Sequence, residues 1–171
     1  MTEQSAGKAR RRRFDRLVAT LHADLWRYTA WLSRDPQVAE EVVQETLLRA
    51  WKSLDSLRED AAAKPWLLTI ARREHARYYE RKRLETVDVD ELTPAQAAMI
   101  ADGHDTDTDD MRAAIFGLAD EYREPLVLQV LMGYSAKEIA GLMDLKPGAV
   151  LTRLHRARLQ LKARFDRDLG N

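Results

Sequence analysis

Cationic and aromatic side chains lie close together in residues 66–83, which read WLLTIARREHARYYERKR. Positive charges follow the phosphates of a nucleic acid, and aromatic rings stack on unpaired bases at roughly 1–3 kcal/mol each. The cations of this segment cover more than one helical face: Arg72, Arg73, Arg77, Arg81, Lys82 and Arg83. Their mixture with Tyr78 and Tyr79 suits melted or single-stranded DNA. It is equally consistent with tyrosines that cover a core edge and arginines that are only solvated.

A second group of cations follows a helix-turn-helix pattern. Ser135 and Glu138 have the spacing of a capping box, which predicts the start of a helix of two turns. Asp144–Lys146 form a tight turn, and Pro147 is well suited to begin a second helix. The second helix of such a pair fits the major groove of DNA, which is about 12 Å wide.

The apolar positions of this second helix predict which side chains point outward. Val150, Leu154, Ala157 and Leu161 are spaced for burial. The outward side chains near the N-terminal half are then Lys146, Ala149, Thr152, Arg153 and Arg156. Arginine either pairs with guanine or neutralises a phosphate. An amphipathic hairpin with solvated arginines has the same pattern, so both interpretations stand at this point.

Helices are expected to position both groups, because the 171-residue chain has no sustained β alternation. Helical spacing predicts a first helix over about 14–33 and a second that begins at Pro36, with Asp35 as its N-cap, and runs to about Leu54. A polar connection, residues 55–64, leads to a third helix that begins at Pro65 and loses its apolar stripe near Glu74. The four tryptophans are expected to share the core of this first unit.

The net charge of zero hides three segments of different sign. Residues 1–85 carry a net charge of +5, residues 86–110 carry −8, and residues 111–171 carry +3. This asymmetry indicates a polyanionic partner. We predict an all-α protein with a basic N-terminal tail (1–13), a first helical domain (14–85), a flexible acidic linker (86–109) and a second helical domain (110–171).

Several classes of function are not expected. The chain has no cysteine, its four histidines lack metal-ligand spacing, and it has neither a glycine-rich phosphate loop nor a nucleophile-base pair. No catalytic residue, metal or cofactor is therefore predicted. The basic N-terminus has no apolar stretch after it, and no run of eighteen apolar residues occurs, so we expect neither a secretory signal nor a membrane span. These features fit a cytoplasmic protein.

Three stretches, in this order, strongly resemble an extracytoplasmic-function (ECF) sigma factor of bacteria: VAEEVVQETLLRAWKSLDSL, PWLLTIARREHARYYERKR and LADEYREPLVLQVLMGYSAKEIAGLMDLKPGAVLTRLHRARLQL. The first two are similar to sigma region 2, and the third is similar to region 4. The resemblance covers about residues 14–84 and 110–165. It implies two small helical domains and no enzymatic activity, since RNA polymerase supplies the chemistry.

The resemblance implies a polymerase-binding surface on the second helix. Region 2 of the family binds the clamp helices of the β′ subunit. The matching positions here are Glu40, Glu41, Gln44, Glu45, Leu48 and Arg49. Region 4 is implied to pack on the β flap, and the acidic linker resembles the segment that threads toward the active site and the RNA exit path.

The resemblance also implies a site for the promoter −10 element and for melted DNA. Residues 55–64 resemble the loop that receives a flipped base, and the cationic helix resembles the surface that holds upstream duplex and separated strand. The matching positions are Ser56, Leu57, Arg58, Lys64, Trp66, Arg72, Arg73, Arg77, Tyr78 and Arg81. Alanines occupy positions 61–63, where the family often has an aromatic residue, so the candidates for the base receptor are Leu57, Arg58 and Trp66.

Promoter −35 recognition is implied for the last helix. Its candidate residues are Lys146, Ala149, Leu151, Thr152, Arg153 and Arg156. Leu151 stands where the family often has lysine, and it either meets a thymine methyl group or packs on another protein. Core RNA polymerase and promoter DNA are the implied partners, and an anti-sigma protein is common in the family. The alternatives are a helix-turn-helix regulator that acts without polymerase and a helical interaction protein with no nucleic-acid role.

Overall fold

The computed structural model describes residues 3–85 and 106–168, and every regular element in these ranges is helical. The α-helices are α1 (Glu3–Ser33), α2 (Pro36–Ser53), α3 (Ala63–Glu85), α4 (Thr106–Phe116), α5 (Asp120–Val130), α6 (Ala136–Met143) and α7 (Pro147–Asp168). Two 3₁₀ turns, Leu54–Ser56 and Asp60–Ala62, lie between α2 and α3. The predicted all-α class is confirmed. Most of the predicted linker, residues 86–105, lies outside the described residues, and its last residues begin α4.

Contacts between Cα atoms divide the chain into two compact units. Unit 1 contains the described parts of 1–29 and 40–87, and unit 2 contains those of 30–39 and 88–171. The turn between α1 and α2 therefore belongs to unit 2. None of the described helices is long and apolar enough to cross a membrane.

The first helix begins earlier than its apolar stripe predicts. We expected a start near Phe14, whereas α1 begins at Glu3. The added turns carry Arg10 and Arg13, whose guanidinium groups bind residues that follow α2. Long-range polar contacts of this kind leave no periodic signal, so the apolar pattern missed the first eleven residues of the helix.

The core of unit 1 forms where α1, the end of α2 and the start of α3 meet. Leu54, Leu57 and Ala63 are buried, and the partly buried Phe14, Leu17, Leu21, Trp51 and Trp66 pack against them. The Phe14 and Trp51 rings meet edge to face, with centroids 5.3 Å apart. Phe14, Leu17 and Leu21 of α1 and the end of α2 therefore face this core.

Unit 2 is organised around α7, which packs against α4, α5 and α6. Of the four α7 side chains that the sequence predicted to be buried, Val150, Leu154 and Ala157 are 0% exposed, whereas Leu161 is partly exposed. Trp31 differs from the expected shared tryptophan core, because its ring lies against Phe116 with centroids 5.0 Å apart. The sequence pattern did not show whether Trp31 packs with the other tryptophans or with Phe116.

A buried arginine in α5 donates hydrogen bonds to backbone carbonyl oxygens of unit 2. Arg123 is 1% exposed, and it donates hydrogen bonds to the carbonyl oxygens of Leu118 at 2.7 Å and Leu32 at 3.1 Å. It also pairs with Asp120. Burying a cation is costly unless hydrogen bonds and an opposite charge compensate it, and these contacts supply both.

The starts of α2 and α6 agree with the predicted N-caps. Asp35 accepts a hydrogen bond from the Gln37 amide at 2.8 Å, as an N-cap does. At the start of α6, the Glu138 amide donates to the Ser135 hydroxyl, and Glu138 accepts from the Ser135 amide at 2.8 Å. The capping box is therefore complete. Asp144 ends α6 with a φ of 53°, a left-handed conformation that aspartate tolerates better than most residues.

Replacing Ser135 with alanine is expected to lower the stability of unit 2 by about 1 kcal/mol, because an amide of α6 loses its acceptor. Hydrogen bonds from the Ser135 side chain, and then from its backbone, hold the pKa of Glu138 below its ordinary value. Because the pKa of Glu138 is lowered by folding, its ionised carboxylate stabilises the folded state above the ordinary pKa of 4.5. This contribution is lost as the pH falls through the folded-state pKa.

Urea denaturation of the wild type and the Ser135→Ala variant across this pH range checks the prediction. The difference in stability between the two proteins should shrink as the pH falls. A difference that stays constant through the titration of Glu138 would contradict the proposed role of the carboxylate. Ser53→Ala is a suitable control, because the Ser53 hydroxyl donates to Arg49 O within a helix and caps no amide.

Candidate functional site

The outer side of α7 presents a cationic surface. Lys146, Thr152 and Arg156 are exposed, while Ala149 and Arg153 are partly exposed. Positions 149, 152, 153 and 156 lie on one helical face by their spacing, next to the face of the buried Val150, Leu154 and Ala157. Leu151 is 57% exposed on another side of the same helix. Within residues 106–168, neither Arg153 nor Arg156 forms an ion pair, so both guanidinium groups are available to a ligand.

Several of the cations predicted to meet melted DNA are paired with carboxylates of unit 1. The Arg77 guanidinium lies 2.9 Å from Glu74, and that of Arg81 lies 2.9 Å from Glu41. Lys64 pairs with Asp24 at 2.9 Å. Arg73 is exposed and Arg72 is partly exposed. Sequence reasoning treated these side chains as a row of charges facing solvent and missed the three ion pairs.

The aromatic residues of α3 lie among these cations, as their spacing predicted. Tyr78 and Tyr79 meet edge to face at 5.3 Å, and Tyr79 also lies 4.8 Å from the His75 ring. The Arg81 guanidinium is 5.8 Å from the Tyr78 ring centroid, within the range of a cation-π contact. Tyr79 is 39% exposed, which leaves part of its ring open to a stacking partner.

The connection between α2 and α3 differs from a featureless polar loop. Its two 3₁₀ turns flank the Leu57 to Glu59 segment. The Leu57 side chain is 4% exposed and lies in the core of unit 1, whereas Arg58 is exposed and Trp66 is partly exposed. Ser56 is exposed and its hydroxyl donates to Ser53 O at 2.7 Å. Of the three candidates for a base receptor, Arg58 is therefore the most accessible.

The outward face of α2 is polar, with an apolar groove beside it. The exposed side chains include Glu40, Glu41, Gln44, Glu45 and Arg49, as predicted. Leu48 is 55% exposed. Together with Phe14, Leu47 and Trp51 it lines a shallow groove of about 510 Å³. An exposed leucine beside aromatic rings is typical of a surface that a partner covers.

Glu74 connects the faces of α2 and α3, and sequence reasoning assigned it no role. Its side chain is 7% exposed and lies 3.0 Å from the Arg49 guanidinium and 2.9 Å from that of Arg77. A cavity of about 120 Å³ beside it is also lined by Glu41 and Arg81. The available signal was its spacing, since Glu74 follows Leu67, Ile70 and Ala71 on the same helical face.

The described residues contain no group of histidine, aspartate and glutamate side chains that could hold a metal ion. The arrangement of the candidate residues is suited to binding. Unit 1 offers an apolar groove, a polar helix face and a cation-aromatic helix, and unit 2 offers the exposed face of a helix-turn-helix.

Two protein families match the chain. Sigma-70 region 2 matches residues 17–85, and Sigma-70, region 4 matches residues 108–161. The first match contains the α2 face, the connection and α3. The second contains the helix-turn-helix.

Similar proteins include several bacterial sigma factors. The ECF RNA polymerase sigma factor SigL of Mycobacterium tuberculosis is 34% identical over 142 residues, covering 79% of this chain and 78% of its own. SigC of the same species is 31% identical over 172 residues, covering 96% and 89%. SigM of Bacillus subtilis is 28% identical over 151 residues, covering 86% and 92%.

Two solved structures are also similar to this chain. The sigma factor RpoE, in complex with the anti-sigma factor NepR from Bartonella quintana, has a TM-score of 0.73 and 25% identity, covering 88% of this chain and 94% of its own. CnrH, in complex with the cytosolic domain of CnrY, has a TM-score of 0.66 and 26% identity, covering 91% and 88%. The two family matches and the similar proteins show that the chain belongs to the ECF sigma factors of the sigma-70 family.

Proposed function

We propose that this sigma factor binds core RNA polymerase, recognises the −35 and −10 elements of a promoter, and promotes DNA melting at the start of transcription. The observation that carries the proposal is the pair of surfaces: an α2 face with an apolar groove in unit 1, and, in unit 2, Arg153 and Arg156 of α7, which form no ion pair with the described residues. A polymerase-dependent promoter reader needs both surfaces. The work is done by binding, and it takes place in the cytoplasm, where bacterial RNA polymerase acts.

Polymerase binding is proposed for the α2 face. Leu48 and the groove beside it supply apolar area, and the exposed polar residues of α2 surround that area. This arrangement matches the usual anatomy of a protein interface, in which an apolar centre is bordered by polar groups. The clamp helices of the β′ subunit are the proposed partner for unit 1, and the β flap is the proposed partner for unit 2.

DNA melting is proposed for α3 and the connection before it. Arg58 and Arg73 are exposed and Tyr79 is partly open, so this surface offers both cations and a stacking face. Arg77 and Arg81 contribute after exchanging Glu74 and Glu41 for phosphate. Because Arg81 and Glu41 are both more than half exposed, their contact is solvent-screened and costs little to exchange. Glu74 is buried, and it keeps Arg49 as a partner when Arg77 turns to phosphate.

The −35 element is the proposed ligand of α7. Arg153 and Arg156 lie one turn apart near the N-terminal half of the helix, where a recognition helix contacts base edges. Leu151 is the proposed contact for a thymine methyl group. Region 2 is assigned to 14–85, the linker to 86–109 and region 4 to 110–171, with the arginine-rich residues 1–13 preceding region 2.

Run-off transcription with purified core polymerase and genomic fragments tests the proposal and identifies the promoter in the same experiment. Initiation at defined sites, only when the chain is added, is the expected result. A polymerase-independent regulator is the alternative function, and it predicts DNA binding without retention of core polymerase on the immobilised chain. Failure to bind core would overturn the sigma proposal and favour the regulator.

Replacing Arg153 or Arg156 with alanine is expected to weaken binding to the −35 element by about 1–3 kcal/mol if the residue contacts a base. Lys162→Ala is the matched control, because Lys162 is an exposed cation nearer the C-terminal end of the same helix. Equilibrium binding of the holoenzyme to labelled promoter DNA measures the effect. Unchanged binding by both arginine variants would show that α7 reads the promoter through other residues.

An anti-sigma protein is a further proposed partner. Both similar solved structures are complexes, one described as a complex with an anti-sigma factor and the other with the cytosolic domain of CnrY. In this chain the groove around Leu48 is the apolar surface that such a protein would compete for with polymerase.

A further inference from the structure

Two arginines near the start of α1 bind the connection between α2 and α3 at several points. The Arg10 guanidinium lies 3.3 Å from the Asp55 carboxylate, donates to Trp51 O at 2.6 Å and sits 4.3 Å from the centre of the Trp51 ring. Arg13 lies 2.8 Å from the Asp60 carboxylate and donates to Leu57 O at 2.7 Å. Each arginine therefore holds one carboxylate and one backbone carbonyl.

These contacts fix both the backbone and the charge of the connection. Trp51 belongs to the last turn of α2, where carbonyl oxygens have no partner within the helix, so Arg10 satisfies one of them. Leu57 lies between the two 3₁₀ turns, and Arg13 holds it through its carbonyl. Asp55 and Asp60 would repel DNA phosphates if unpaired, and the two guanidinium groups reduce that negative charge.

The other arginines of the tract are placed differently. Among the described residues, Arg11 forms an ion pair with Asp15 alone, one helical turn away, at 3.9 Å. Arg12 is exposed and forms no ion pair within the described part of the chain. Arg10 and Arg13 are three residues apart and share a helical face, whereas Arg12 points away from it. The contacts therefore belong to two specific positions and are not a general property of the basic tract.

We infer that Arg10 and Arg13 are positioning residues that set the shape and charge of the −10 loop, residues 55–64, and thereby its selectivity for the flipped base. The inference rests on the proposed function, because it assigns the two arginines to the loop that receives this base. Arg58 is the loop residue with the most accessible side chain, and it follows directly after the carbonyl that Arg13 holds. A shift of that carbonyl moves Arg58 with it.

The test uses the full chain, core polymerase and the promoter that run-off transcription identifies. The variants are the double change Arg10→Ala/Arg13→Ala and the control Arg12→Ala. Open-complex formation is followed on promoters that carry each of the four bases at the flipped position, and core binding is measured in parallel. We expect the double variant to open the preferred promoter about tenfold more slowly, since it loses charge-assisted hydrogen bonds, and to discriminate less among the four bases. The double variant should bind core polymerase within twofold of the wild type. Arg12→Ala should stay within twofold of the wild type in both promoter opening and core binding.

Asp60→Asn provides a variant that leaves both arginines in place. It removes the loop carboxylate that Arg13 binds, and it is expected to reduce base discrimination in the same direction, while thermal unfolding reports whether each variant folds. Loss of discrimination separates loop positioning from a general loss of stability, which would slow opening equally for all four bases.

The outcomes distinguish the inference from the proposed function. If the wild type fails to start transcription with core polymerase, the proposed function is wrong. If the wild type is active and the folded double variant and Asp60→Asn both keep the wild-type base preference, the positioning role is overturned and the proposed function stands. A double variant that slows opening by the same factor for all four bases would also overturn the role in selectivity.

Discussion

Replacing Leu48 with aspartate is expected to weaken the binding of core polymerase by at least about 2 kcal/mol, or about thirtyfold, with little change in the stability of the sigma factor. Leu48 is 55% exposed, so the fold barely depends on its side chain. It lies in the groove with Phe14, Leu47 and Trp51. A partner that covers this groove would have to bury the new carboxylate without an opposite charge, which is costly.

Leu84→Asp is the matched control for this prediction. It makes the same change on α3 of the same unit, at a side chain that is 87% exposed. Titration of labelled sigma factor with core polymerase measures both variants, and circular dichroism measures their stability. Equal losses of affinity would indicate a general charge effect, and undiminished affinity of the Leu48 variant would exclude the groove from the interface.

Helices, caps and the buried face of α7 were predictable from the sequence because their causes are local. Asp35 and Pro36 mark the start of α2, and Ser135 and Glu138 mark the start of α6, within a few residues of the groups that they bind. The spacing of Val150, Leu154 and Ala157 likewise requires only the helical period. The all-α class and the sigma-70 family follow from these local patterns and from the order of three recognisable stretches.

The long-range ion pairs of unit 1 were not predictable, because they join residues that are far apart in sequence. Arg10 and Asp55 are 45 residues apart, and Arg81 and Glu41 are 40 apart. Charge patterning places such residues on exposed faces but does not say which of them meet. The position of Arg10 and Arg13 in a helix, where we expected a basic tail, follows from the same contacts.

The ion pairs between α2 and α3 also relate the two proposed surfaces of unit 1. Arg81 binds Glu41, and Arg49 and Arg77 both bind the buried Glu74. Glu41, which is proposed to bind polymerase, thus neutralises Arg81, which is proposed to bind melted DNA. Arg49 and Arg77 belong to the same two proposed surfaces and share Glu74 as a partner. A polymerase that engages Glu41 competes with Arg81 for it and makes Arg81 more available to phosphate, whereas one that engages Arg49 leaves Arg77 as the remaining partner of Glu74 among these arginines. Binding at the α2 face and binding at α3 are therefore expected to be coupled.

Replacing Leu154 with alanine is expected to destabilise unit 2 by about 2–5 kcal/mol and, through unfolding, to remove −35 binding. Leu154 is 0% exposed and lies on the face of α7 that packs against α5 and α6. The loss is a large part of the stability of a small domain, which is about 5–15 kcal/mol. Urea denaturation and binding to promoter DNA measure the two effects.

The same helix offers two leucines for comparison, Leu151 at 57% exposed and Leu159 at 52%. Alanine at either position should change stability by less than about 0.5 kcal/mol, because little apolar area leaves the core. Only the Leu151 change should weaken −35 binding, since Leu151 lies in the N-terminal half of α7, where a recognition helix contacts base edges, whereas Leu159 lies two turns further along. Leu154→Ala tests the support of the helix and Leu151→Ala tests its contact with DNA. A stability loss at Leu151 that matched the loss at Leu154 would mean that the buried face of α7 had been assigned wrongly, and the residues proposed to read the promoter would have to be reassigned with it.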